Sequence, residues 1–404
     1  MYAVYILYKH FCTIIVRQDL LLHKKFRPTS AYQLTEWHRL TMREKQLIAG
    51  LYDEDEVYGI FQPVAENPSL TSKVAYRDVA LLYMHLQHSN ILPRAYLLQK
   101  QNGAQQIIAQ LVFDNILAIE DGGKFVSGTN AVKAIYGESI LDASEIPGYL
   151  ATLSMQAIEY AILLNDLDIR SLANRLYTYN MAPMDAASRS SLTSSNSVHD
   201  FLFSNVSKDK KDALQKNWTY IQPDSTSNWM FWVRNDKEEI SPAELKTYKL
   251  YISPPAKDLA EHFGEIISII DASNAYCFKT GGTVKDLLRC DKMVVYFKNK
   301  KDLKSIVAGL SNALESCPVQ GVPFTQQLDE KGMLSAGVDP SKKDILRKVE
   351  GGSWRSVVTE KLAAAIIQAQ QSRMDQPEAM EFIKAKLLAS GIDVYKWMPV
   401  NDAI

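Results

Sequence analysis

The sequence predicts an α+β fold: a helical N-terminal domain, then a mixed α/β C-terminal domain with a small, largely antiparallel sheet. Three observations lead there. Apolar residues recur at helical spacing through most of the first half. Short β-branched and aromatic runs alternate with helical segments in the second. A Ser-, Ala- and Asn-rich stretch separates the two textures. The expected division is a helical domain over 1–183, a linker over 184–200 and an α+β domain over 201–404.

The opening run, Met1 to Val16, is apolar but interrupted by Lys9 and His10, and no basic segment precedes it. It is too short to span a bilayer and reads as a buried helix or strand, not a signal peptide. Val74 to His88 predicts an amphipathic helix with Val79, Leu82, Tyr83 and Leu86 on one stripe. Gln105 to Leu117 repeats that pattern. Gly122 and Gly123, between apolar flanks, predict a tight hairpin turn. Helices over Leu150–Leu164 and Asp168–Asn180 complete a packed bundle. Met184 to Ser197 has too few apolar residues for a core and is expected as an exposed linker.

Beyond the linker, Asn228–Val233, Thr247–Ile252, Ala275–Lys279 and Lys292–Phe297 read as strands. Ala256–Ile270 and Asp302–Cys317 read as helices, Gly321–Phe324 as a loop, and Trp354–Gln371 and Gln376–Leu388 as two closing helices. No internal repeat is visible.

Composition narrows the function classes. The 404 residues suffice for two or three domains, and 47% hydrophobic content supports a core without disulfides. A formal net charge of -1 gives no basis for nucleic-acid binding. Cys12, Cys277, Cys290 and Cys317 show no CxxC spacing, so neither a metal site nor a disulfide framework is expected. No stretch has the length of a membrane span. A cytoplasmic protein with reduced thiols is the expectation.

Candidate chemistry lies where cations adjoin strands. Alternation places Lys249 and Tyr251 on one face of their strand and Leu250 and Ile252 on the other. Lys279 ends a strand, Arg289 and Lys292 lead into the next, and Arg355 opens a helix after Gly351-Gly352-Ser353. On a shared cleft, arginine would grip phosphate bidentately, lysine would act as a point charge or neutral base, and the helix start would offer N–H groups. For each lysine taken singly, a solvated strand edge is the commoner role. Lys298, Lys300, Lys301 and Lys304 read as such a face. Asp291 reads as a local ion-pair partner of little weight. Gly281-Gly282 lacks a phosphate-loop pattern, His85 and His88 lack a supporting carboxylate, and no GxSxG elbow appears.

Several phrases carry a resemblance: Tyr248-Lys249-Leu250-Tyr251-Ile252-Ser253-Pro254, Phe278-Lys279, Arg289-Cys290-Asp291-Lys292-Met293-Val294-Val295-Tyr296-Phe297, Pro323-Phe324-Thr325, Gly337-Val338-Asp339-Pro340 and Ser353-Trp354-Arg355. In that order and spacing they resemble the HopA-type family, named after a type III secretion effector of plant pathogens. Gly123–Gly128 and Arg175–Asn180 resemble its less distinctive N-terminal part, so the likeness runs from Leu111 to Leu362. The first hundred residues match nothing nameable. The family includes the lyase component of class V lanthipeptide and thioamitide biosynthesis. There a kinase-like partner phosphorylates Ser or Thr of a precursor peptide, and the lyase eliminates phosphate to leave dehydroalanine or dehydrobutyrine.

The resemblance implies a phosphoserine/phosphothreonine lyase that needs no cofactor and no metal. On this reading Lys279 is the base and Arg289 and Arg355 clamp phosphate, assisted by Lys292. Lys249 stabilises developing charge or protonates the leaving oxygen, and Tyr251 orients it. Arg175, Tyr177 and Asn180 are assigned to the substrate peptide, with helix-end packing and capping as an equal alternative. The competing function is a non-catalytic effector or scaffold that binds phosphopeptide without turnover. A kinase-like phosphotransferase ranks third, because no nucleotide loop or HRD- and DFG-like pair is visible.

Overall fold

The computed structural model describes residues 21, 23–49, 54–65, 70–99, 104–137, 148–165, 167–222, 227–235, 247–340, 352–400, 402 and 404. The apolar opening run and Cys12 lie outside them.

The α+β class holds, but strands enter earlier than expected. β1 (Lys25–Pro28), β2 (Tyr32–Glu36), β3 (Val57–Pro63), β4 (Lys73–Tyr76), β5 (Asn90–Ile91), β6 (Leu117–Asp121) and β7 (Lys124–Val126) form two small antiparallel sheets. Their orders are β5-β1-β6-β7 and β2-β3-β4. A purely helical first half is therefore corrected. Most of these strands have five residues or fewer, too few alternations for a period-2 pattern to stand out from neighbouring helices. The predicted stripe of Val79, Leu82, Tyr83 and Leu86 is buried. Gly122 and Gly123 turn β6 into β7 with φ of 55° and 79°, as a two-residue hairpin of type I′ requires at both central positions.

The predicted bundle helices appear as α1 (Ala104–Phe113), α2 (Tyr149–Ile162) and α3 (Ile169–Tyr177). Asp168 caps α3 by accepting the Ser171 N–H. The expected linker is largely helical, with helices at Ala186–Ser191 and Ser195–Phe203. Ser194 and Ser197 form a reciprocal capping box, and Val198, Leu202 and Phe203 are buried. Of the serines that looked like loop composition, Ser194 and Ser197 start a helix instead.

The strand signals of the second half converge on one seven-stranded antiparallel sheet: β8 (Trp218–Ile221), β9 (Trp229–Arg234), β10 (Thr247–Ile252), β11 (Cys277–Gly281), β12 (Met293–Phe297), β13 (Gln326–Gln327) and β14 (Leu334–Asp339). Their order is β13-β14-β10-β12-β11-β9-β8. One face presents Leu250, Ile252, Phe278, Met293 and Val295 to α4 (Ala256–Asp271), all within one core cluster. Trp232 and Phe278, directly paired across β9 and β11, stack at 4.8 Å. The opposite face holds the cations.

The closing helices, α5 (Trp354–Gln371) and α6 (Gln376–Ala389), complete the N-terminal core instead of covering the large sheet. Val358, Leu362 and Ile366 share a core with Phe113, Ile158 and Leu172. Ala363, Ala365 and Ala369 are fully buried, and their small side chains let α5 lie close against its neighbours. The start of α5 thereby joins the N-terminal helices to the cationic face of the sheet. No helix among the described residues is long and apolar enough to cross a membrane.

Candidate active site

Strand register builds the site. Directly paired residues of an antiparallel sheet share a face. Ser335, Tyr251, Val294, Lys279 and Phe231 therefore form one row across β14, β10, β12, β11 and β9. Gly337, Lys249, Tyr296 and Cys277 form the next. The alternation expected for β10 is confirmed: Leu250 and Ile252 point to the opposite core. Gly337 is the residue that fits beside Tyr251, because a Cβ there would stand 3.2 Å from Trp354 Cδ1 and 3.4 Å from the tyrosine hydroxyl oxygen.

Two carboxylates organise these cations. Asp291, between Arg289 and Lys292 in the sequence, receives Arg289 Nε at 2.8 Å on one oxygen and Arg289 Nη2 at 2.9 Å on the other. Arg355 Nη1 donates to it at 2.8 Å and the Tyr177 hydroxyl at 3.3 Å. Burial pushes the Asp291 carboxyl up, but Arg355 and then Arg289 overcome that and hold it well below the usual range. Asp339 forms the second anchor. It pairs with Lys249 Nζ at 2.5 Å and accepts the Trp354 N–H of α5 at 2.9 Å. The helix start predicted to receive an external anion thus holds a carboxylate of the protein itself.

The expected phosphate clamp is corrected in two places. Arg355 is buried, and its remaining donors reach Pro323 O, Tyr177 O and Cys290 Sγ. It fixes Asp291 and cannot turn outward. Lys292 is wholly buried, donating to Pro254 O at 2.8 Å and Gln320 Oε1 at 2.6 Å. Its desolvated ammonium is lowered to about 8, and its role is to tie loops together. Alternation does put Lys292 on the cationic face, but short-range spacing could not show that a loop closes over it.

The N-terminal trio separates likewise. Tyr177 enters the site: its ring lies 4.5 Å from the Arg355 guanidinium and 5.3 Å from that of Arg289. Asn180, at φ 65°, donates to Gln320 O and Gly321 O, which is the helix-end packing alternative. Arg175 is exposed. The accessible cations are Lys279 and Arg289, both half-buried. They share the Trp229 indole, with Lys279 Nζ 3.8 Å and Arg289 Cζ 5.2 Å from its centroid. Lys279 has no ion-pair or hydrogen-bond partner among the described residues. Burial first, and then Lys249, lower its pKa to about 8. Arg289 gives Nε and Nη2 to Asp291, leaving Nη1 without a partner among the described residues. Tyr251 is buried with its hydroxyl likewise unpartnered, and burial, then Asp339, hold that phenol well above the ordinary range.

Sequence reasoning undervalued Asp291 and assigned Asp339, Trp229 and Phe231 no role. For Asp291 a signal existed, since an acid flanked by two cations at a strand entrance would be buried once that strand is central. Nothing local marked Asp339, which acts through partners distant in sequence.

No family model matches the chain, and no curated protein matches it. Among solved structures, an effector protein from Pseudomonas syringae pv. tomato strain DC3000 aligns with 12% identity over 61% of this chain and 97% of its own, at a TM-score of 0.42. An effector from Pseudomonas syringae pv. syringae strain 61 aligns with 14% identity over 62% and 98%, at 0.37. The type III effector/phosphothreonine lyase OspF from Shigella flexneri aligns with 11% identity over 35% and 88%, at 0.26. Likenesses this distant assign neither fold family nor activity, so function rests on the site's own geometry.

Proposed function

We propose that the chain is a carbon–oxygen lyase that eliminates phosphate from phosphoserine or phosphothreonine in a peptide. One observation carries this reading: a half-buried lysine titrating at about 8 stands on the same indole as an arginine with an outward donor. Elimination needs a base for the α-proton and a cation for the leaving phosphate, side by side. Neutral Lys279 takes the α-proton. The C–H electrons become the Cα–Cβ double bond, the Cβ–O bond breaks, and phosphate leaves with that electron pair. Arg289 Nη1 donates to a phosphate oxygen, and Lys249 with Tyr251 steadies the enolate-like carbonyl. Arg355 and Asp291 act indirectly by fixing Arg289. No step needs a metal or organic cofactor.

The HopA-type resemblance supports a finer assignment: a precursor peptide phosphorylated by a separate kinase-like protein, with dehydroalanine or dehydrobutyrine as product. The test is incubation with phosphoserine and phosphothreonine peptides, following loss of phosphoric acid by mass spectrometry. Lys279→Ala should abolish the loss while the fold persists by circular dichroism. The scaffold reading has one observation in its favour, since Asp291 and Asp339 already neutralise part of the cationic face. Stoichiometric phosphopeptide binding without phosphate release would establish it and end the lyase proposal.

A further inference from the structure

Beyond Lys279 the cationic face of the sheet turns apolar and opens to solvent. Register carries the row of the base from Lys279 to Phe231 of β9 and on to Ile221 of β8. The neighbouring row runs from Cys277 to Val233 and Thr219. Among the described residues of these two rows, no charged side chain lies on the β9 and β8 side of Lys279. Ile221 and Val233 are 49% and 37% exposed, the only large hydrophobics left so among the described residues of the seven-stranded sheet. A lone exposed apolar residue is ordinary. These two are diagonal neighbours across β8 and β9, and both adjoin Phe231 beside the proposed base.

The other half of the row is closed. Val294 and Tyr251 are buried in one cluster with Cys290 and Val322, and Ser335 is buried beyond them. A peptide whose phosphoresidue sits at Lys279 and Arg289 therefore crosses the sheet toward β8. Directly opposed side chains stand roughly 5 Å apart at Cβ, which puts Phe231 one step and Ile221 two steps, about 10 Å, from Lys279. An extended peptide returns a side chain to the same face every second residue, about 7 Å along. The residue two positions from the phosphoresidue thus reaches the step between Phe231 and Ile221 with its side chain turned to the sheet. An apolar side chain there would bury Phe231, Ile221 and Val233. A carboxylate or ammonium would lose water and gain no partner from these rows. We propose that this shelf is a substrate subsite selecting an apolar side chain two residues from the phosphorylated one, an inference that rests on the lyase reading.

The test uses the full chain and phosphothreonine peptides that differ only at the second residue before or after the phosphothreonine, which is Leu, Ala, Glu or Lys. In the wild type, Leu on one side should raise kcat/KM about tenfold over Ala, with Glu and Lys below Ala. Ile221→Thr, which keeps a β-branched residue on the edge strand, should shrink the Leu-to-Ala ratio to about two. Ile221→Lys should reverse the preference, so that Glu surpasses Leu. A folding defect lowers all peptides together and cannot produce that reversal. Equal kcat/KM for all four residues, or a Leu preference untouched by both substitutions, would end the proposal. Affinities are titrated in parallel by tryptophan fluorescence in Lys279→Ala, which lacks the base. Phosphate release from no peptide, with the Leu preference kept in binding, would remove the lyase reading and leave the subsite. No preference in either readout would remove the subsite whether or not phosphate is released. A dimer in sedimentation that Ile221→Lys dissociates would assign the shelf to a second copy of the chain and overturn the proposal as well.

Discussion

Replacing Asp291 by Asn removes one charge from the point where two arginines meet. The side chains of Asp291 and Arg355 are 6% and 1% exposed, so solvent cannot compensate for the lost partner. Breaking a buried ion pair from one side costs about 3–5 kcal/mol, because the remaining charge stays desolvated. Arg289, with 22% of its side chain exposed, can relax toward water and adds about 1 kcal/mol at most. With an m-value on the order of 3 kcal/mol per molar urea for a chain of this length, the midpoint should fall by about 1 M or more. Tryptophan fluorescence is a suitable probe, since Trp229 touches Arg289. Adding Arg355→Met to Asp291→Asn should recover part of the loss, because the stranded charge is then gone. The sign with pH is also fixed. A depressed carboxyl stabilises the fold above its unfolded value, about 4, and loses that contribution as pH falls through the folded value. The penalty of Asp291→Asn should therefore be constant from about pH 5 upward and shrink only in strong acid. A loss below about 1 kcal/mol at neutral pH would refute the account of Asp291 as the anchor of this site.

Four further outcomes follow from the same geometry. Elimination should accelerate as pH rises through about 8 and then level off, because only the neutral Lys279 amine accepts a proton; a rate already flat from pH 6 would remove it as the base. At pH 7 a group of that pKa is roughly a tenth neutral, several hundredfold more than an ordinary lysine, so Lys279→Arg should cost at least about 100-fold in kcat. Lys292→Met should lower stability by about 1–3 kcal/mol by stranding Pro254 O and Gln320 Oε1, yet leave the turnover of folded protein near normal; a catalytic loss without a stability loss would restore it to the phosphate site. Gly337→Ala should press on Trp354 and Tyr251, costing about 1–3 kcal/mol by overpacking and reducing kcat more than it raises KM, which steady-state kinetics would separate.

How much was legible in advance depended on the range of each signal. Alternation within Thr247–Ile252 sufficed to place Lys249 and Tyr251 together and Leu250 and Ile252 opposite, because a strand's two faces are decided locally. The Ala-rich α5 was legible to the residue, from its Ser353 cap to Gln371. Where α5 packs was not, since its apolar residues surround the helix and name no particular neighbour. The same limit misjudged Arg355. Its position at a helix start suggested an exposed anion site, whereas Asp339, brought over by β14, had taken the terminal N–H. Lys292 and Asp291 failed in opposite directions for one reason. Sequence shows that a charge exists but not whether a carbonyl or a second arginine will be waiting for it.

The distribution of acids on the cationic face separates this site from a simple anion trap. A trap would leave every cation unpaired and the field uniformly positive. Here each buried cation has its own partner: Asp339 for Lys249, Asp291 for Arg355, a carbonyl and an amide oxygen for Lys292. Among the described residues, Lys279 receives only aromatic faces. A carboxylate in direct contact would hold its ammonium charged and spoil it as a base, while complete absence of acids would destabilise the sheet by unrelieved repulsion. Asp291 resolves the conflict by acting at one remove, raising the Lys279 pKa through space while its oxygens are bound to arginine. Asp291→Asn should therefore move the Lys279 titration downward, as well as weakening the fold. The pH–rate profile of residual folded enzyme reads that shift separately from stability: an inflection moved to lower pH supports the coupling, and an unmoved one severs Asp291 from the base.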